Sequence, residues 1–255
     1  MRRLRVIGLV LAGLCPGPLA RAIYRLCFGY RIHPTARIRC AYLDCRSLTI
    51  GASAVVDHGV VFTRCGDVQL GDHVAIGPLN LFRGGTRIEL APFVTVLRFN
   101  VFNAIPDHEC TGNPDSSLSI GRGSVVTQQH RLDFTDRITL GRHVILAGRG
   151  TSLWTHSRQQ SAPIEIGEYV YVGSETRMSA GAMVPRCSIV GMGSVIVRPL
   201  EAGFSLFAGV PAVRKRALGA GDYATIFHRS RNDLPDDGYR PASPEGQPIR
   251  FEDHY

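Results

Sequence analysis

The sequence predicts an all-β solenoid, a chain wound into a three-sided coil with one short strand per side. Three observations carry that expectation. A phrase of two apolar residues flanking a polar one, closed by glycine or alanine, recurs as Leu48-Thr-Ile-Gly51, Val68-Gln-Leu-Gly71, Ile88-Glu-Leu-Ala91, Leu118-Ser-Ile-Gly121, Ile138-Thr-Leu-Gly141 and Ile164-Glu-Ile-Gly167. The first three copies stand 20 residues apart, as do the fourth and fifth. Finally, 28 glycines and 15 prolines are spread along the 255 residues, a density that would cut any long helix.

Residues 1–30 precede the repeat. Arg2, Arg3 and Arg5 lead into the apolar run from Val6 to Cys15, which Pro16-Gly-Pro18 breaks. Ten apolar residues are too few to span a bilayer as a helix. The pattern fits a secretory signal peptide cleaved near Ala20-Arg-Ala22. The reading preferred for residues 1–30 is a basic, apolar helix lying in a membrane interface and continuing through Ala22–Phe28, with arginines at 21, 25 and 31. Lipoprotein processing fits less well, because bulky Leu14 stands just before Cys15.

The coil itself is expected over residues 31–218. From Ile50, Leu70, Leu90, Ile120 and Leu140, apolar residues return six later at Val56, Ile76, Val96, Val126 and Leu146. Six further on stand Phe62, Phe82, Phe102 and Leu132, and with a one-residue slip Leu153. Three hexads plus two residues therefore make one turn. After Ile166 the extra pair disappears, and Val172, Met178, Val184, Val190 and Ile196 follow at intervals of six. This period matches neither a helix nor an alternating strand. A large apolar residue points inward, a small one packs near each corner, and glycine permits the bend. Stacked coils bury a continuous core, with the three phenylalanines as a ladder inside it.

Two stretches interrupt the repeat, 103–117 and 147–163, and such excursions are where solenoids mount binding groups. Beyond Leu218 the chain turns polar, with prolines at 235, 241, 244 and 248 and no period. Residues 219–255 read as a mostly disordered tail.

Composition excludes disorder throughout and a collagen helix. The formal net charge is +8, and all but one of the 29 basic residues are arginine, Lys215 being the exception. The excess reads as coding bias or as anion binding, and the sum alone does not choose. It is diffuse and accompanies no recognisable module, which argues against nucleic-acid binding. The seven cysteines form no CxxC, so reduced thiols are expected. Cys45 and Cys65 lie one 20-residue turn apart and would stack, and a disulfide there would favour export.

On the hexad phrases, Thr155-His156, Tyr171-Val-Gly173, Gly191-Met-Gly-Ser-Val195 and Ala208-Gly-Val-Pro-Ala212, the chain resembles the hexapeptide-repeat acyltransferases. Within them it is nearest the maltose/galactoside-type and polysaccharide-biosynthesis O-acetyltransferases. The resemblance covers roughly residues 30 to 218 and is strongest from 138 to 216. It implies a left-handed parallel β-helix, an exception to the right-handed crossover rule. It also implies a homotrimer with active sites between subunits, acetyl-CoA as donor, and a sugar or glycan acceptor. A CoA donor points to the cytoplasm, at the inner face of the membrane if residues 1–30 bind one.

The resemblance makes His156 the catalytic base. The chemistry is coherent, because an imidazole can take a hydroxyl proton and return it to a leaving thiolate. The plainer alternative is a loop histidine that only caps. By resemblance Asp133, in a Leu-Asp pair, binds acceptor hydroxyls, with a solvated loop carboxylate as alternative. The family's upstream asparagine is missing, leaving Gln128, Gln129 or His130 as substitute oxyanion donors. Glu165 or another carboxylate is left to orient His156. Tyr171, Gly173, Ser174, Gly193 and Ser194 are implied to line the pantetheine arm, and Arg198, Arg214, Lys215 and Arg216 to meet CoA phosphates. No metal is expected. Two other readings remain: a γ-type carbonic anhydrase, whose zinc needs three convergent histidines, and a scaffold without catalysis.

Overall fold

The structure, a computed structural model, describes residues 2–15, 17–105, 115–158 and 160–227. Its body is a parallel β-solenoid with three faces. One face holds nine parallel strands from Arg37–Ile38 to Ser205–Ala208, closed by the antiparallel strand Val213–Ala217. The other two faces join as one 14-stranded sheet, because the long strands Ala41–Ile50 and Val60–Leu70 run across the corner between them.

The hexad spacing sets the register. Leu48, Val68, Ile88, Leu118, Ile138 and Ile164 align coil on coil, so the first apolar residue of every repeat phrase enters the core. On the next face Phe62, Phe82, Phe102, Leu132, Leu153, Met178 and Ile196 align in the same way. The phenylalanine rings stack at 4.3 and 4.4 Å, within 2° of parallel, as the spacing predicts. The one-residue slip before Leu153 is a bulge: Val126 pairs with Leu146 but Gln128 pairs with Arg149.

Glycine takes the left-handed bend at Gly59, Gly123, Gly181 and Gly193 among others, as expected, and does a second job in the repeat phrases. In the repeat phrases the left-handed backbone falls two residues after the glycine, on Ser53, His73, His143 and Tyr169. The glycines are required because the coil above approaches them. A Cβ on Gly71 would lie 2.7 Å from the Pro92 nitrogen, and one on Gly141 2.6 Å from that of Glu168. The non-glycine corner residues stack on one another outside the coil, which offsets part of their backbone strain of about 1–2 kcal/mol each. His73 lies 4.6 Å from Phe93, and His143 4.8 Å from Tyr169.

Helices α1 (Arg2–Leu14) and α2 (Gly17–Phe28) close the N-terminal end of the coil. Leu9, Ala12, Ala20 and Tyr24 are buried against it, and the Tyr24 hydroxyl donates to the Ala41 carbonyl at 2.7 Å. Gly13 passes so close to the Ala41 oxygen that a Cβ would sit 2.7 Å from it. The N-terminal segment is therefore part of the fold, capping a core whose end would otherwise face water. Among the described residues no helix is long and apolar enough to cross a membrane.

At the other end the expected tail begins with structure. Helix α3 (Ala220–Ile226) follows the last strand, and Ile226 and Phe227 are buried against Tyr169, whose ring lies 5.2 Å from that of Phe227. The apolar pair Ile226-Phe227 was too short to register as periodic, and only the coil's outer stack gives it a partner. Residues 228–255 lie outside the described residues. Cys45 and Cys65 are register partners on adjacent strands, buried, and both free thiols.

Candidate active site

The strand Ser152–Trp154 lies in register above Arg131–Asp133, which places Asp133 directly beneath Trp154. The chain then leaves the coil and returns at Ile164. Thr155 anchors the departure: its hydroxyl donates to the Asp133 carbonyl at 2.8 Å and accepts from the Asp136 amide at 2.9 Å. Ser161 ties the returning limb to the Asp136 carboxylate at 2.9 Å. Between these anchors stands His156.

Its Nδ1 lies 2.9 Å from Asp133 Oδ1, with the aspartate side chain 1% and the imidazole 14% exposed. The Thr135 amide also donates to Oδ1, at 3.2 Å. An ionised carboxylate only accepts, so Nδ1 carries the proton and the Nε2 lone pair is the basic one. Among the described residues nothing is hydrogen-bonded to Nε2. This is the geometry of a base held in one tautomer by a buried acid.

The Asp133 carboxylate, expected to meet acceptor hydroxyls, is buried and faces the imidazole rather than solvent. Of the carboxylates left open for a place beside His156, Glu165 pairs with Arg137 at 3.3 Å, and Asp133 is the one at the imidazole. The pairing was hidden because the slip before Leu153 blurs which residue lies beneath Trp154. Counting 21 residues from Leu132 to Leu153 would have found it.

His130 is not free to stabilise an oxyanion. It is 1% exposed and sits in a buried polar ladder, where its amide donates to Asn100 Oδ1 and its Nδ1 accepts from the Thr151 amide at 3.1 Å. Its Nε2 faces the Thr127 hydroxyl at 2.8 Å. Burial pushes its pKa down to about 4, so the ring is neutral. Gln128 and Gln129 lie at the opposite end of strand Arg131–Asp133 from Asp133, and Gln128 accepts from Arg98 at 3.0 Å.

The residues expected to line a pantetheine arm share one corner. Gly173 and Gly193 stand in successive coils, with the Gly193 amide donating to the Ser174 carbonyl at 2.9 Å. Gly193 is left-handed and exposed, and nothing lies within 4 Å of where its Cβ would be. Tyr171 is half-buried, whereas the Ser194 side chain turns inward to the Gly191 carbonyl at 2.6 Å. This corner and His156 lie at opposite edges of one face, about 10 Å apart for the three-residue strand between them.

The basic cluster is partly engaged. Arg216 grips Asp222 through two bonds of 2.6 and 2.8 Å, fastening α3 to the last strand, and holds the Asp222 pKa down to about 2. Arg214 donates to Ser205 at 2.8 Å. Lys215 and Arg198 are exposed. Of the residues expected to meet CoA phosphates, Arg216 thus has its terminal nitrogens on a carboxylate of its own chain. His130, His143 and His156 occupy three separate surroundings, in the ladder, on Tyr169 and on Asp133. Among the described residues no three metal-ligating side chains converge.

The solenoid has a counterpart among known structures. The polySia-specific acetyltransferase NeuO superposes with a TM-score of 0.52 at 16% identity, covering 81% of this chain and 85% of that one. The chain has the fold of the hexapeptide-repeat acyltransferases. In sequence it is 27% identical over 179 residues to the bifunctional protein GlmU of Heliobacterium modesticaldum, a match covering 69% of this chain and 32% of the relative. It is 30% identical over 190 residues to GlmU of Chromobacterium violaceum, covering 64% of this chain and 39% of the relative. The chain spans about a third of the length of these curated relatives. No family model matches it.

Proposed function

We propose that this hexapeptide-repeat protein is an acyl-CoA-dependent O-acetyltransferase in which His156 is the general base. The observation that carries the reading is the His156–Asp133 pair, which leaves Nε2 as the basic nitrogen at the mouth of an excursion from the coil. Nε2 takes the proton of an acceptor hydroxyl as its oxygen attacks the acetyl thioester carbonyl. The C–S bond then breaks, and the same proton passes to the departing thiolate. The transfer needs no nucleophile from the protein.

Acetyl-CoA is the proposed donor, with its pantetheine arm along Gly173-Ser174 and Gly193-Ser194 beside Tyr171, and Lys215, Arg214 and Arg198 toward its phosphates. A single chain holds this corner and His156 on opposite edges of a face. A homotrimer, in which the edge of one copy meets the corner of the next, would bring them together and bring Gln128 or Gln129 of a neighbour toward the oxyanion. The acceptor is a sugar hydroxyl of a surface polysaccharide or a lipid-linked glycan, and the protein works in the cytoplasm, where the CoA donor is.

The test is CoA release from acetyl-CoA across a panel of sugars and lipid-linked sugars, with native mass measured on the same preparation. His156→Ala should lower turnover about a hundredfold to ten-thousandfold on the responsive acceptor. Unchanged turnover would remove His156 from the mechanism, and a monomer with full activity would remove the shared site.

A further inference from the structure

We propose that the outward side of the helical cap is a docking surface for an anionic lipid bilayer. The inner side of α1, through Arg5, Leu9 and Ala12, faces the coil. Its outer side carries Leu4, Ile7, Leu11 and Leu14, spaced as one stripe of a helix and 56–75% exposed. On α2, Leu19 and Leu26 are 51% and 85% exposed. Capping needs only the inner stripe. The outer one exposes large aliphatic side chains that nothing among the described residues covers.

Charge decides what covers them. Residues 1–43 contain eight arginines and no aspartate or glutamate. The rest of the chain holds 21 basic and 21 acidic residues, so the whole formal charge of +8 resides in this end. Arg5 is held by Asp44, Arg39 by Asp57, and Arg21 by the carbonyls of Pro34 and Ala36. Arg3, Arg25, Arg31 and Arg37 are exposed and have no ion pair among the described residues. A cleft of about 790 Å³ opens beside Leu26, lined by Arg25, Arg31 and His33, with Asp72 also in its wall.

A second copy of this face is a poor occupant, because it would set one predominantly cationic surface, with Arg3, Arg25, Arg31 and Arg37 unpaired among the described residues, against another. Aliphatic side chains interspersed with unpaired arginines match a layer whose surface is anionic and whose interior is hydrocarbon. The inference does not depend on the acyl-transfer reading.

The experiment is co-sedimentation of the full chain with vesicles of phosphatidylcholine alone and of phosphatidylcholine mixed with phosphatidylglycerol, without acyl donor or acceptor. The full chain should bind the mixed vesicles and not the neutral ones, and binding should weaken as salt rises. Ile7→Glu/Leu11→Glu and Arg25→Glu/Arg31→Glu should each weaken binding about tenfold or more while circular dichroism and native mass stay unchanged. Failure to bind anionic vesicles, or equal binding by both variants, would overturn the proposal. So would lipid-free self-association of the full chain that Ile7→Glu/Leu11→Glu abolishes, which would assign the face to a second copy. A capture experiment returning an acidic protein partner, with no vesicle binding, would overturn it equally.

Discussion

Replacing Asp133 by asparagine tests the proposed chemistry most directly, because it changes one charge and almost no volume. Both hydrogen bonds to the carboxylate reach the same oxygen, Oδ1, from the Thr135 amide and from His156 Nδ1. The other oxygen is buried without a hydrogen bond among the described residues. An asparagine must therefore keep its carbonyl at the Oδ1 position and bury an amide NH2 where Oδ2 stood. The reverse placement would aim NH2 at the Thr135 N–H and force His156 into the tautomer with Nε2 protonated. In the first placement the base survives but loses the anion that stabilises its protonated form. A charge-assisted hydrogen bond contributes about 1.5–3 kcal/mol, so kcat should fall about tenfold to about a hundredfold. In the second, Nε2 has no lone pair to offer, and the fall should approach that of His156→Ala. The assay is CoA release on the responsive acceptor, paired with imidazole nitrogen NMR of His156 to read the tautomer. KM for the acceptor should change little if Asp133 positions the histidine, and should rise if it binds the acceptor itself. Full turnover by Asp133→Asn with an unaltered His156 tautomer would refute the pairing as a functional one.

Four further outcomes follow from the coil. Phe82→Ala, at the centre of the stacked ladder, should cost about 3–5 kcal/mol in chemical unfolding and speed amide exchange in the coils of Phe62 and Phe102. Gly71→Ala drives a Cβ against the backbone of Pro92 and should destabilise by about 1–3 kcal/mol, seen as a lower Tm. Because His130 titrates near pH 4 when folded against about 6.5 unfolded, its contribution is complete above pH 6.5 and is lost as pH falls toward 4. His130→Asn should remove up to about 3 kcal/mol of that acid sensitivity, measured by unfolding at a series of pH values. Hydrogen bonding to Cys65 and burial hold the Cys45 thiol well above its ordinary pKa, and both sulfurs are shielded from solvent, so Cys45 and Cys65 should resist alkylation until the chain unfolds.

The sequence by itself determined the solenoid, its register and its aromatic ladder. A six-residue period repeats the same decision at every coil, inward or outward, so Phe62, Phe82 and Phe102 have one way to stack. The break in that period marked residues 147–163 as an excursion, and within it the resemblance to the hexapeptide-repeat acyltransferases singled out Thr155-His156. What the period does not encode is which side chains meet where the repeat fails. The bulge opposite Thr127 shifts the register by one residue and brings Asp133 under Trp154, beside His156. The same corner turns His130 inward, closing it to solvent. Gly71 and Gly141 are denied side chains by the coil above them, a contact between residues one turn apart, whereas Gly193 is required by the left-handed bend at which it stands. At both ends the helices are fixed by surfaces that exist only once the coil has formed, its open core beneath α1 and the stacked ring of Tyr169 beneath Phe227. Local spacing decides what repeats, and contacts between distant, non-repeating residues decide the site and the caps.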